Sequence, residues 1–418
     1  MQIPRDIYLK KLINRMHNGM IKVITGIRRS GKSYLLLKLF RSHLLASGVP
    51  EDHIIVMEFD RRENKPYCDP DRFLAYLHAH MQDAGSYYVL LDEVQNLQDF
   101  ESVLNSLLYE ENVDAYVTGS NSRFLSTDVI TEFRGRGDEV HVYPLSFREF
   151  MTAYKGETYR GWQEYLLYGG LPFTVTRQTD EEKSEYLQHL FRETYLKDII
   201  ERNHLEKHQE LEDLLNVLAS SIGSLTNAPK IVATFKSRLG SSISINTVKS
   251  YIGCLQEAFL IQEAKRYDVK GRKYIGTPVK YYFEDVGLRN ALLNFRQVEE
   301  THLMENIVYN ELRLRGYHVD VGNVSQRVYN PETGARTVKH LEVDFVANLG
   351  SKRYYIQSAY AIPDEEKRQQ EKASLLALKD SFKKIIVVNG FVPTTHDDDG
   401  ILTIGLLDFL LDTDSLDR

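Results

Sequence analysis

The residues best equipped for chemistry stand near the start of the chain. Gly26-Ile27-Arg28-Arg29-Ser30-Gly31-Lys32-Ser33 has the spacing G-x-x-x-x-G-K-S, with β-branched Val23-Ile24-Thr25 before it and an apolar, helix-forming stretch from Tyr34 to Phe40 after it. Strand, glycine-rich loop and helix in that order let backbone N–H groups converge on phosphates at a helix N-terminus. Lys32 would neutralise the β- and γ-phosphates, and Ser33 would offer its hydroxyl to Mg²⁺. Every residue of this loop is a candidate nucleotide contact, and ATP with Mg²⁺ is the implied ligand. A second apolar run, Tyr87-Tyr88-Val89-Leu90-Leu91, ends in Asp92-Glu93. Asp92 is expected to hold Mg²⁺ together with Ser33, and Glu93 to act as the base toward an attacking water. By itself an Asp-Glu pair closing an apolar run is an ordinary strand end. Downstream of a phosphate loop it gains a role.

Further candidates depend on how strands present their ends. Asp114–Thr118 runs into Gly119-Ser120-Asn121, where a polar side chain would sit beside the γ-phosphate. Ser120 and Asn121 are sensor candidates, and equally good turn residues. Arg136, ahead of Arg134, could serve as a finger reaching a neighbouring subunit's nucleotide; the alternative is a solvated basic loop. Strands expected at Lys22–Thr25, Ile54–Phe59, Tyr87–Asp92, Asp114–Thr118 and Glu139–Tyr143 alternate with helices, the pattern of a mostly parallel, doubly wound α/β sheet.

The rest of the composition narrows the class. A chain of 418 residues exceeds a single core and has room for about three domains. No stretch has the apolar length of a membrane span, and the first residues lack the apolar core of a signal peptide. Cys68 and Cys254 are the only cysteines, too few for a disulfide framework or a Cys-based zinc site. The expected location is the cytoplasm, with no membrane partner.

Net charge is −7, but it is unevenly spread. From Thr226 to Phe283, ten Lys or Arg face three acidic residues, a local surplus of seven. This window has the rhythm of a winged helix: helices at Leu211–Ser221, Asn227–Leu239 and Ile245–Phe259, then wing strands at Glu263–Tyr274 and Val279–Phe283. Asn246, Thr247, Lys249 and Ser250 would face a DNA groove, and Lys270, Arg272 and Lys273 the phosphates. A winged helix used for protein contact is the competing reading.

The last third changes character. A helix at Leu303–Gly316 carries Glu305, and strands at Val319–Asn323, Leu341–Ala347 and Arg353–Gln357 follow, with a hairpin turn at Asn330–Gly334. A further helix at Glu365–Leu378 precedes a buried strand, Lys384–Val388. Glu342 and Asp344 alternate onto one strand face. Glu305, Asp344 and Gln357 thus have the layout of a PD-(D/E)xK nuclease core and form a candidate second metal site. Ala359 stands where such a core carries its lysine, so the core reads as degenerate; Lys339 or Lys352 could supply the charge from elsewhere.

The phosphate loop, Asp92-Glu93-Val94-Gln95, Thr118-Gly119-Ser120, Arg136 and the element Pro144-Leu145-Ser146-Phe147-Arg148-Glu149-Phe150 together resemble the AAA_14-type ATPases of bacteria and archaea. Glu305-Asn306, Glu342-Val343-Asp344-Phe345 and Tyr355-Ile356-Gln357 are similar to the DUF4143 domain that accompanies them. The resemblance implies an AAA+-like P-loop ATPase, a winged helix and a C-terminal restriction-endonuclease-like fold; the expected domains are the ATPase at 1–155, a helical lid at 156–210, the winged helix at 211–290 and the nuclease-like α/β domain at 291–418. Taken together, the residues are read as an oligomeric machine or switch that binds ATP or ADP, hydrolyses ATP and acts on DNA. The competitors are an ATP-gated, metal-dependent nuclease and a nucleotide-controlled scaffold for a protein partner.

Overall fold

The computed structural model describes residues 3–119, 135–329 and 336–418. Ser120, Asn121, Arg134 and the Asn330–Gly334 turn lie outside them. The described chain divides into two units. One comprises Met1–Leu145 with the short segments Leu171–Phe173 and Gln256–Leu260; the other takes Ser146–Gly170, Thr174–Leu255 and Ile261–Arg418.

In the first unit, β1 (Ile21–Thr25), β2 (Ile54–Glu58), β3 (Tyr87–Asp92), β4 (Val113–Thr118) and β5 (Gly137–His141) form a sheet in the order β2-β3-β4-β1-β5. All four pairings are parallel. The expected strands are present, with boundaries shifted by one or two residues. β1 and β3 are buried along their whole length, as strands covered on both faces must be, and their near-continuous apolar runs follow from that. Phe73 and Leu77, from the helix Pro70–His80, pack with Met57, Val89 and Leu91 in one core. Because the strands are parallel, the segments after β1, β3 and β4 leave from one edge of the sheet. Near the other edge, buried Lys22 and Asp114 form an ion pair, and Tyr116 donates to Asp114 at 2.9 Å. That satisfaction is what makes two buried charges tolerable.

The second unit begins with a capping box, Ser146 to Glu149. Its helical part includes Thr158–Tyr168, Asp180–His189, Lys197–Arg202 and His208–Ser220. Ala228–Thr234 continues as a π-helical turn to Leu239, and Asn227 caps it by accepting from the Lys230 N–H at 2.8 Å. Pro229 in the first turn loses no helical hydrogen bond there. Ile245–Glu257 buries Val248, Ile252 and Leu255, as its spacing predicts.

The strands β6 (Ile261–Asp268), β7 (Lys273–Phe283), β8 (His318–Tyr329), β9 (Arg336–Leu349), β10 (Lys352–Ala359), β11 (Lys383–Val388), β12 (Thr395–His396) and β13 (Leu402–Gly405) form one sheet, ordered β12-β13-β11-β10-β9-β8-β6-β7. This corrects two expectations. The wing turn falls at residues 269–272, at the expected run Lys270-Gly271-Arg272-Lys273, but the first wing strand ends at Asp268 rather than Tyr274 and the second begins at Lys273 rather than Val279. More importantly, β6 pairs in parallel with β8 through Arg266–Val321, Tyr267–Gly322 and Asp268–Asn323. The expected boundary at 290/291 therefore cuts through a hydrogen-bonded sheet. The small strands β12 and β13 and the helix Leu406–Leu411 complete the C-terminal layer.

Candidate active site

β1 delivers the chain into the phosphate loop through three left-handed residues: Gly26 (φ 133°), Arg29 (φ 64°) and Gly31 (φ 98°). Gly26 is fixed by space as well as by torsion, since a Cβ there would lie 2.2 Å from the Val142 carbonyl oxygen. Only glycine meets both demands. Arg5 braces the loop from outside, donating to the Ser30 carbonyl at 3.3 Å and to that of Tyr143 at 2.6 Å. From Lys32 the chain is helical to Ala46, with a π-helical stretch at Leu35–Phe40. Buried Lys32 curls back, and its Nζ donates to the carbonyls of Gly26 (2.9 Å) and Ile27 (3.1 Å).

The acid strand meets this loop. The Ser33 hydroxyl is hydrogen-bonded to the Asp92 carboxylate. Thr118, at the end of β4, donates to Asp92 Oδ1 at 2.6 Å and accepts the Glu93 N–H at 3.0 Å. Glu93 takes a left-handed conformation (φ 51°), strain of a kind that collects at functional positions, and its carboxylate receives the Gln95 side-chain amide. Burial pushes the Asp92 carboxyl above its ordinary value; hydrogen bonds from Thr118 and Ser33 oppose this, while the charges of Glu93 and Asp60 add to it. A carboxylate pressed in this way gains by meeting a cation. The donor set fits a nucleotide with Mg²⁺: an ammonium inside the loop curl, a hydroxyl bonded to a buried carboxylate, and a buried Ser30 hydroxyl with no hydrogen-bond partner among the described residues. Gly31 offers the cradle, since among the described residues a Cβ there would meet only Pro172, at 4.0 Å.

Lys32, Ser33, Asp92 and Glu93 are thus brought together around the loop. Thr118, part of the Thr118-Gly119-Ser120 resemblance, is the residue to which sequence reasoning gave no role of its own; its place just before the sensor position was the available signal. Arg136 lies elsewhere. Its carbonyl accepts the Ile21 N–H at 2.9 Å, so it adjoins the start of β1, whereas the loop follows the end of that strand. The two are separated by about 13 Å of strand. Its guanidinium lies 5.7 Å over the exposed Tyr109 ring.

In the second unit, Asn246, Lys249, Ser250, Lys270, Arg272 and Lys273 are exposed. Thr247 is half-buried, its hydroxyl 2.8 Å from that of Ser244. Lys270 Nζ donates to the Ser325 carbonyl at 2.9 Å.

The candidate second metal site is differently built from the expected one. Gln357 Oε1 accepts the Asp344 N–H at 3.0 Å, and Asp344 Oδ2 accepts the Ser358 N–H at 2.8 Å. Glu305 Oε1 receives Lys280 Nζ at 2.9 Å and the Tyr282 hydroxyl at 2.6 Å. Among the described residues, no group of three His, Cys, Asp or Glu side chains is disposed to hold a metal ion. Lys352 pairs with Asp417 instead, and Lys339 is exposed. The cation at the acids is Lys280, which no strand motif announces.

Comparison with known proteins adds the following. Residues 18–151 match the AAA_14 family, an AAA domain. Residues 159–299 match a domain of unknown function, DUF8612, and this replaces the expected DUF4143. An uncharacterized protein of Haemophilus influenzae is 33% identical over 415 residues, spanning 98% of both chains. The uncharacterized protein MJ1544 of Methanocaldococcus jannaschii is 27% identical, over 95% of this chain and 88% of that one. Among solved structures, the Walker-type ATPase PABY2304 of Pyrococcus abyssi superposes with a TM-score of 0.51 at 16% identity, covering 70% of this chain and 96% of that chain. No helix among the described residues is long and apolar enough to cross a membrane.

Proposed function

Since the chain belongs to one family with the Haemophilus influenzae protein and carries an AAA-type P-loop domain, we propose that it binds and hydrolyses ATP and uses turnover to act on DNA as an oligomer. The observation that carries the ATPase reading is the joining of the phosphate loop to the acid strand through Ser33, Asp92 and Thr118. Lys32 would move from the loop carbonyls onto phosphate oxygens. The Ser33 hydroxyl and Asp92 would hold Mg²⁺, whose contribution when bound is to neutralise negative charge on the phosphates. Glu93, anchored at its N–H by Thr118, would take the proton of the attacking water. Ser120 or Asn121 would sense the γ-phosphate. Arg136, remote from its own loop, is suited to serve a neighbouring chain.

The DNA reading draws on the three helices His208–Ser220, Ala228–Leu239 and Ile245–Glu257, followed by the antiparallel β6–β7 pair, with Thr226 bridging Val279. That is the order of a winged helix. Basic residues at the β6–β7 turn and on the third helix would meet phosphates. The cytoplasm is the compartment this reading calls for.

ATP turnover with and without single- and double-stranded DNA, using Lys32→Ala as control, tests the proposal. Stimulation by DNA that is absent from Lys32→Ala supports it. Turnover indifferent to DNA would shift the reading to a switch for a protein partner, and parental turnover in Lys32→Ala would remove the site.

A further inference from the structure

Glu305, Glu342 and Asp344 bring three carboxylates together in the C-terminal sheet, and the cation among them belongs to the protein. Lys280 Nζ lies 2.9 Å from Glu305 Oε1 and 2.7 Å from Glu342 Oε1, with its side chain only 4% exposed. Tyr282, two residues along β7, adds its hydroxyl to the same Glu305 oxygen, and its ring stacks on Tyr309 at 4.3 Å. Asp344 and Gln357 have backbone partners within the protein. Asp344 takes the Ser358 N–H, and the Gln357 amide oxygen takes the Asp344 N–H. A hard divalent cation in a nuclease-like core needs several of these oxygens at once. Two are engaged by an ammonium and a third by a backbone donor. Glu305, the buried one of the three, needs a partner, because an unpaired buried charge is strongly destabilising. Lys280 provides one on a stem long enough to reach from β7 to both the helix Glu300–Leu314 and β9.

We infer that Lys280 is a built-in counter-cation: it stands where a nuclease-like core would hold its metal, closing that core to divalent ions and tying β7 to the helix and strand that bear the acids. The inference rests on reading Glu305, Asp344 and Gln357 as a nuclease-like layout, and it is independent of ATP turnover at the phosphate loop. It also gives Ala359 a reason. A core whose cation is a side chain has no use for a further lysine on β10. Of the ten basic residues between Thr226 and Phe283, Lys280 is therefore not part of any phosphate-facing surface.

Titration of the full chain with Mn²⁺ alone, without nucleotide, reading free Mn²⁺ by electron paramagnetic resonance, tests this. Parent and Asp344→Asn should bind Mn²⁺ alike. Lys280→Met should gain about one further ion per chain, and Lys280→Met/Asp344→Asn should lose that gain. Mn²⁺ binding in the parent that depends on Asp344, or a folded Lys280→Met that gains none, would overturn the inference. Should Lys280→Met fail to fold, recovery of its thermal transition by Mn²⁺ supports the inference. Recovery by adding Glu305→Gln but not by Mn²⁺ overturns it.

Discussion

Thr118→Val is the most informative single change in the first unit, because valine keeps the volume and removes only the hydroxyl. That hydroxyl makes two contacts: it donates to buried Asp92 at 2.6 Å and accepts the Glu93 N–H at 3.0 Å. A hydrogen bond to a charged group contributes about 1.5–3 kcal/mol, and a neutral one about 1 kcal/mol. The expected loss of stability is therefore about 2–4 kcal/mol. The electrostatic consequence has a definite sign. Burial already pushes the Asp92 carboxyl up, and Thr118 is the first of the groups holding it down, so the variant's carboxyl should rise further. Turnover should fall by about 10- to 100-fold, because Glu93 loses the anchor at its backbone and small misplacements are costly. Urea unfolding gives the first quantity and ATP turnover at saturating Mg-ATP the second. A cycle with Asp92→Asn tests the route: if Thr118 acts through Asp92, the two losses will fall well short of additive. A Thr118→Val chain within about 0.5 kcal/mol of the parent, turning over at the parental rate, would refute the account.

Glu93→Gln should retain ATP while hydrolysing it at least about 100-fold more slowly; unchanged single-turnover kinetics would remove Glu93 as base. Gly26→Ala should cost about 2–4 kcal/mol from its forbidden torsion and the clash with the Val142 carbonyl, read as a lower melting temperature, and parental stability would contradict the loop geometry. Replacing Lys270, Arg272 and Lys273 by Ala should weaken DNA binding and flatten its salt dependence; an unchanged slope would place the phosphate contacts elsewhere. Asp285, buried and accepting N–H groups from Gly170, Leu288 and Gly287, has its carboxyl pushed up to about 6 by burial. The folded chain then holds a proton that the unfolded chain releases, so this contribution is present below pH 4 and is lost as pH rises to about 6. The stability of the parent relative to Asp285→Asn should fall across that window, and parallel urea-unfolding profiles would exclude the effect.

Local chemistry carried the first unit. A glycine-rich loop needs glycine wherever φ is positive and backbone crowds the Cβ, so Gly26 and Gly31 are written into the sequence by sterics. Its strands, buried on both faces, appear as continuous apolar runs, and parallel pairing then gathers their ends without further instruction. The helix caps at Asn227 and Ser146 are equally local. Long-range pairing carried what the sequence left open. β6 and β7 look like a self-contained wing because each is a short amphipathic strand, yet their edge is satisfied by β8, some fifty residues on. Lys280 looks like one more basic residue in a positive window, and no periodicity separates it from Lys273. Only the sheet that carries β7 past the acid-bearing helix turns it inward, where Glu305 and Glu342 give the charge a partner. Thr118 follows the same logic: threonine is ordinary in a strand, and its hydroxyl acquires a role because β4 lies between β1 and β3. Backbone torsion and burial period are properties of neighbours in sequence. The partner of a buried charge or of a strand edge is a property of the folded chain.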